Sequence, residues 1–383
     1  MDDVDLLVLG GGCAGLSLAL RLSEGAGGLE DIVVLEARES YQDDRTWSFW
    51  RTRPHRFEEI VAHEWAGFEV LAGGEVARLD CQATPYQMIP AGAFYAHALE
   101  LISRSPHVDV ELGARVEGVP ERVGDHWVVR AGERQLRARH LVDTRPPRVR
   151  PSCLLWQSFF GQVVRTEVDR FDPEVATLMD FAGGHEDRIQ FTYVLPRSRR
   201  EALVETTVFG REAIGPGDLE QAHGEDLERR LAGSGHEVVR QEHGVLPMGL
   251  TSSLHPVAWT RAGLFHGGAR PSTGYAFQRI QRWADSCAAS LRTGLGATGL
   301  SADPSHMRWM DSIFLGVLAD RPASGPGLLL QLFSRAPTER VIRFLSDEGS
   351  VRDSLSIVSS LPPWPFLRQA AAQLSGRSRR AIG

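Results

Sequence analysis

The chain has no lysine: all 42 of its basic residues are arginine. A Schiff-base lysine mechanism is therefore excluded. The bias reads as base composition of the source genome, because helix propensity treats the two residues alike. Cysteine is scarce as well. Cys13, Cys81, Cys153 and Cys287 are scattered, with neither metal-ligand spacing nor a disulfide framework, so no metal site is expected and a reducing cytoplasm fits. Positive charge is not in excess; the net charge of -7 offers no basic field for nucleic acid. No apolar run approaches the length of a membrane span. The opening "MDDVDLLVLGGGCAGLSLAL" is acidic and broken by glycines, unlike a signal peptide, so any membrane contact is expected to be peripheral.

What is present is ordinary for a globular protein of one large or two smaller domains: 383 residues, 42% hydrophobic and 24% charged. Residues 5–9 read as a buried strand, 13–23 as a helix with a broad apolar surface, and 31–37 as a second buried strand. The aromatic, arginine-rich "RTWSFWRTRPHRF" has no clean period and reads as loop, and 91–103 as a helix. "VDVELGARVEGV", "HWVVRAG" and "QLRARHLVDT" alternate as antiparallel strands. From Cys153 to Leu250 the chain is β-rich and aromatic, interrupted by a charged helix near 217–232. A strand, a glycine-rich loop and a long helix follow, and 301–383 is mostly helical.

Gly10, Gly12 and Gly15 form G-x-G-x-x-G between the first strand and the first helix. The first glycine permits the turn, the second lets backbone approach a pyrophosphate, and the third lets helix and strand pack closely. The helix N-terminus offers unpaired N–H groups to the phosphates. Glu36 ends the second strand, 21 positions after Gly15, where an acid binds a ribose hydroxyl. A second glycine-rich loop, "GGARPSTGY" at 267–275, contributes Gly267, Gly268, Thr273 and Gly274 as further cofactor-binding candidates. This distant return, with the long insertions before it, favours FAD over NAD as the dinucleotide.

Taken in order, "DLLVLGGGCAGLSLALRL", "RTWSF" at 45–49, "LVETT" at 203–207, "GLFHGGARPSTGY" and the tail "ERVIRFLSDEGSVRDSLSIVSSLPPWPFLRQA" resemble the FAD-dependent lycopene cyclases of bacteria and plants over most of the chain. The resemblance implies an α/β, hydroxylase-type flavoprotein fold: a discontinuous Rossmann-like FAD-binding domain, an antiparallel β-sheet substrate domain and a helical C-terminus. The expected division is 1–50, 85–150 and 255–295 for FAD, 51–84 and 151–254 for substrate, and 296–383 for the C-terminal region. It implies an isomerase that closes a linear carotenoid end group, of lycopene or a monocyclic carotene, to a β-ionone ring. FAD would act in its reduced form, with NAD(P)H as reductant. A water-insoluble substrate implies a cytoplasmic enzyme resting on the inner face of the cell membrane, and "LPPWPFLRQAA", with Trp364 and Phe366 beside Arg368, is the candidate docking element.

Such a ring closure starts by protonating an unactivated alkene. The acid must be held protonated, close and dry, and burial raises a carboxyl pKa. Glu205 matches the family's essential acid, and strand alternation puts it on one face with Leu203 and Thr207. Three positions depart from the family pattern. Thr206 stands where a second acid is usual, leaving Glu205 without that neighbour, and Trp50 and Arg270 stand where His is common. Trp50 is a candidate to line the carotenoid tunnel or to stabilise a cation; Arg270 is a candidate partner for an anionic flavin or phosphate; both are equally read as surface substitutions. His266 is read equally as a flavin contact and as a packed or exposed histidine, and Asp44 and Arg45 as groups near the cofactor or, preferably, a solvated pair. Trp156, Phe159, Phe160, Phe191 and Tyr193 are read as tunnel wall or ordinary core. Two alternatives stay open: an FAD-dependent oxidoreductase such as a prenyl reductase or hydroxylase (or a cyclase of another polyene), and a non-catalytic carotenoid-binding protein.

Overall fold

The computed structural model describes residues 2–251 and 257–376. The expected boundary at residue 255 and the C-terminal residues 377–383 lie outside the described residues. The chain opens with β1 (Asp2–Leu9), α1 (Cys13–Ser23) and β2 (Ile32–Leu35). Next come β3 (Thr46–Trp50), β4 (His63–Trp65), β5 (Gly67–Ala72), β6 (Glu75–Asp80) and β7 (Tyr86–Pro90). Then follow α2 (Ala91–Ile102), β8 (Val108–Glu111), β9 (Val116–Val123), β10 (His126–Ala131) and β11 (Arg134–Asp143).

A seven-stranded sheet takes the order β8-β2-β1-β11-β10-β9, and β17 (Thr260–Arg261) joins it on β11. Its parallel part is buried on both faces, which is why "LLVL" and "IVVL" read as unbroken apolar runs. Only β9, β10 and β11 pair antiparallel as expected. β8 instead lies parallel to β2, and β11 parallel to β1. The helix α2 crosses over before β8, and a crossover returns the chain in the same direction.

The segment expected as loop at 45–57 is partly strand. β3 pairs antiparallel with β7, which also carries β4. Its alternation is hidden because both faces are covered. Trp47 and Phe49 pack on Phe94 and Phe277, while Trp50 packs on Phe68 and Tyr86 from the other side.

The second large sheet is built from β12 (Cys153–Thr166), β13 (Val175–Asp180), β14 (Ile189–Pro196), β15 (Glu201–Gly210) and β16 (His236–Leu250), together with β5 and β6. Its order is β16-β12-β15-β14-β13-β5-β6. One face packs on α3 (Pro216–Leu231), where Val164, Val194 and Val204 meet Leu227 and Leu231. α4 (Phe277–Arg292), which follows the second glycine loop, packs against α1 in the first core, and the other face of the second sheet meets the C-terminal helices. These are α5 (Ser305–Asp320), α6 (Gly325–Arg335), α7 (Thr338–Leu345), α8 (Val351–Ser360) and α9 (Pro363–Leu374). One core runs from Phe191, Leu203 and Phe209 of the sheet to Leu315, Leu329 and Phe333 of the helices.

Candidate active site

The turn after β1 is shaped by glycine. Gly10 has a φ of +96°, and a Cβ on Gly15 would lie 1.9 Å from the Gly10 carbonyl oxygen, so helix and strand meet only without one. A Cβ on Gly12 meets nothing within 4 Å. That open side is the N-terminus of α1, where a phosphate would sit. Glu36 is buried and accepts hydrogen bonds from the Gly11 N–H at 2.7 Å and the Arg38 N–H at 2.9 Å. Burial pushes its carboxyl up, but the Arg38 contacts and the Gly11 N–H outweigh this and hold it below the ordinary range. The Arg38 guanidinium also lies on Glu36, so a ribose hydroxyl reaching the carboxylate would displace one of its contacts.

The second glycine loop closes over this cradle. Thr273 and Gly274 line the same cavity as Gly10, Gly12 and Glu36. Gly274 has a φ of +75°, and a Cβ there would stand 2.6 Å from Gln157 Oε1. That Gln157 oxygen is buried without a hydrogen-bond partner among the described residues, on a side chain that lines the cavity. These features fit an extended dinucleotide. Gly15, Gly267 and Gly268 stand behind the lining: Gly267 is left-handed, and a Cβ on Gly268 would meet the Gly263 carbonyl oxygen at 2.6 Å. His266 also stands behind it, with Nε2 3.3 Å from the Arg145 carbonyl oxygen.

The cavity of about 1020 Å³ continues from the cradle to the front face of the second sheet. Leu203, Glu205 and Thr207 all line it, as alternation requires. Glu205 is buried, and its Oε1 accepts a 2.7 Å hydrogen bond from the Thr207 hydroxyl. Burial, then the neighbouring Glu242 charge, push its carboxyl up to about 8, with Thr207 pulling weakly the other way. A carboxyl in that state is protonated at neutral pH.

Glu242 was not legible as a site residue. It lies on β16, two strands from Glu205, and both are in register with the same β12 residue, Gly161. A Cβ on Gly161 would come within 3.0 Å of Glu205 Cβ and 3.2 Å of its Cγ, so the Glu205 side chain leans across the glycine toward β16. Glu242 is buried and lines the same cavity. It accepts hydrogen bonds from Thr46 Oγ1 at 2.8 Å and is paired with Arg240 at 2.7 Å. Burial, with the Asp43 charge adding to it, holds its carboxyl above the ordinary range, and Arg240 and Thr46 offset only part of that. Glu205 does without an acid at position 206, and its acidic neighbour comes from another strand instead. In sequence Glu242 is one of several charges in "HEVVRQEHGVLPMGL", and nothing singles it out.

Thr206 points to the opposite face. Its hydroxyl donates to Asp226 Oδ2 at 2.8 Å and lies 3.3 Å from His223 Nδ1, both on α3. Phe160 shares that side against His223. Phe159, Phe191 and Tyr193 face the cavity instead. Tyr193 pairs across strands with Glu205, and its hydroxyl lies 2.9 Å from that of Tyr86, which is 3.2 Å from that of Tyr275. Burial keeps all three phenols neutral. Trp50 and Arg270 are both buried, which rules out their reading as surface substitutions. Trp50 lies behind the wall, against Tyr86 and Tyr275. Arg270 pairs with Asp311 and Asp347, donates to the Phe344 carbonyl and stacks over the Phe344 ring, so it ties the glycine loop to α5 and α7 and is not placed for a flavin or phosphate. Asp44 and Arg45 form a half-exposed pair at the cavity edge.

The far end of the cavity is walled by the C-terminal helices, including Phe314, Phe333 and Phe366. Trp309, Val358 and Leu367 line it and are also exposed, at 48%, 56% and 57%. The opening is therefore apolar. Among the described residues no helix is long and apolar enough to cross a membrane.

Residues 5–371 match the family described as lycopene cyclase protein. A lycopene beta-cyclase of Pantoea ananas is 25% identical over 95% of this chain and 96% of its own length. Another, from Paracoccus sp. (strain N81106 / MBIC 01143), is 29% identical over 55% of this chain and 58% of its own. A geranylgeranyl bacteriochlorophyll reductase-like protein of Thermoplasma acidophilum superposes with a TM-score of 0.64 at 12% identity, covering 96% of this chain and 98% of that one. A flavin-dependent brominase gives 0.65 at 13% identity, covering 92% and 97%. At such identities the superpositions speak to fold alone, and the fold is that of the hydroxylase-type and reductase-type flavoproteins.

Proposed function

The chain belongs to the lycopene cyclase family, and from that membership we propose that it closes a linear carotenoid end group, of lycopene or a monocyclic carotene, to a β-ionone ring without net redox change. One observation carries this reading: a carboxyl held neutral, Glu205, faces an aromatic cavity that is continuous with a dinucleotide cradle. Glu205 protonates the terminal trisubstituted alkene and leaves a tertiary cation. The neighbouring double bond attacks that cation, and the ring cation then loses a proton. Thr207 fixes the Glu205 carboxyl through its hydrogen bond. Phe159, Phe191 and Tyr193 line the space where positive charge develops, and aromatic rings attract cations. Water is kept out by the apolar wall, so the cation is not trapped as an alcohol.

The cofactor of this reading is FAD, held by Gly10, Gly12, Glu36, Thr273 and Gly274, with Gly15, Gly267 and Gly268 shaping the two turns. In its reduced form, supplied by NAD(P)H, it would offer negative charge to the cation. The corresponding division of the chain is 1–50, 85–150 and 255–295 for FAD, 51–84 and 151–254 for substrate, and 296–383 for the C-terminal region.

The polyene enters from the inner face of the cell membrane. Supporting this, α8 exposes Val351, Leu355 and Val358 at helical spacing, α9 exposes Trp364 and Leu367, and three exposed apolar residues, Trp309 among them, rim the cavity. Expression in lycopene-accumulating bacteria, followed by pigment chromatography, tests the reading. Conversion of lycopene to β-ring products is expected. Unchanged lycopene beside folded, flavin-loaded protein would refute the assignment, and stoichiometric NAD(P)H consumption per product would replace it with an oxidoreductase.

A further inference from the structure

We propose that Glu242 is a second catalytic carboxylate, the base that takes the proton from the ring cation and hands it back to Glu205 across Gly161. The proposal rests on the cyclase reading above. That reading needs a proton donor and a proton acceptor in one turnover, and the cavity holds two buried glutamates in register with a single glycine.

The two carboxyls have unequal surroundings, and the inequality assigns their roles. Glu242 has the Arg240 guanidinium at 2.7 Å and the Thr46 hydroxyl at 2.8 Å, so it is the better seat for a negative charge. Among the described residues Glu205 has a hydroxyl partner alone, Thr207. With one negative charge shared between them, the proton rests on Glu205 and the charge on Glu242. The charged groups that face Glu242 are Arg240 on its own strand, Asp43 ahead of β3, which pairs with Arg240 at 3.3 Å, and Glu205 from β15.

Gly161 makes the pair possible. A flat sheet sets β15 and β16 about 10 Å apart, two strand spacings. Glu205 closes part of that gap by leaning over residue 161, where any side chain would stand between the carboxyls. The proton balance is then closed. The Glu205 O–H bond breaks as a C–H bond forms on the alkene. The second alkene's electron pair makes the ring C–C bond. A ring C–H bond breaks, its electron pair becomes the ring double bond, and its proton goes to the Glu242 carboxylate. Transfer from Glu242 to Glu205 resets the site, and no oxidant or reductant is consumed.

The test uses the full chain, loaded with reduced flavin, acting on lycopene in liposomes. Glu242→Gln keeps the shape and removes the charge; Glu242→Asp keeps the charge. E242Q is expected to lose about 100-fold or more in β-ring formation with flavin content unchanged. Its residual activity should fall off at lower pH than the wild type, because Glu205 no longer faces a negative charge. E242D should recover at least about tenfold of the loss, with the high-pH limb where the wild type has it. A structural role alone would not move that limb. E242Q within about threefold of the wild type, or E242D as inactive as E242Q, would overturn the proposal. Should E242Q fail to load flavin, E242D decides: an unmoved limb with measurable turnover supports the proposal, and inactivity refutes it. A flavin-loaded wild type that leaves lycopene uncyclised is a separate outcome, because it removes the cyclase reading itself.

Discussion

Replacing Glu205 by Gln should remove a pH-dependent weakness of the folded protein. The carboxyl rises from an ordinary 4.5 to about 8 on folding, through burial first and the Glu242 charge second. The folded state thus holds this proton more tightly than the unfolded chain does. The stability it contributes is fully present below about pH 4.5 and is lost as the pH rises toward about 8. Each pH unit in that window costs about 1.4 kcal/mol, so the ceiling is about 5 kcal/mol. An effective interior dielectric near 20 keeps the penalty at or below that ceiling, so the expected loss lies between about 2 and 5 kcal/mol. Gln is nearly isosteric and still accepts from Thr207, but it does not titrate. The assay is denaturant unfolding of wild type and E205Q at equal flavin loading from pH 5 to 9. Because the carboxyls titrate together, the difference curve reports the proton held by the pair. The gap should swing toward the variant as pH rises and level off near pH 8 to 9. A constant offset across the range would refute a protonated Glu205, and with it the acid that ring closure needs.

Three other outcomes follow from the geometry. Gly15→Ala places a Cβ 1.9 Å from the Gly10 carbonyl oxygen, so purified protein should lose its flavin absorbance; normal loading would contradict the cradle. Gly161→Ala presses on Glu205 Cβ at 3.0 Å and should cost about 1–3 kcal/mol of stability and most cyclase activity while flavin content stays normal, read by unfolding and pigment analysis. Changing Val351, Leu355, Trp364 and Leu367 together to Ser should weaken liposome flotation by about 100-fold or more, given about 1.5–3 kcal/mol for each large side chain fully buried, with little change in unfolding because all four are exposed; equal flotation would remove the docking face.

Local signals were the legible ones. The glycine turn, Glu36 at the end of β2 and the second glycine loop each declare themselves within a few residues, because backbone sterics fix what sequence can do there. The strand β3 was hidden, since aromatic side chains covered on both faces leave no period to read. Parallel pairing of β8 was hidden too, because direction depends on the crossover and not on the strand's own pattern. Burial of Arg270 is set by Asp311 and Asp347, acids that come from other parts of the chain. Glu242 is the sharpest case. Nothing near it marks an active site; its position depends on the register of β16 against β12, which no single strand encodes.

The same register explains why position 206 need not be acidic here. Residues 205 and 206 point to opposite faces of β15, so an acid at 206 would sit behind the sheet, away from the cavity that Glu205 lines. There it would meet Asp226, whose side chain is buried and already paired with Arg229 at 2.8 Å. His223 beside it is held neutral, its pKa pushed down to about 4 mainly by burial, and offers no compensating charge. Two carboxylates would then share one cation in a dry site, an arrangement that forces one of them to take up a proton. Thr206 avoids this by donating to Asp226, which fixes α3 against the back of the strand and so holds β15 in place. The departure from the family pattern therefore changes how the strand is braced, while the acid pair on its front face is completed by Glu242.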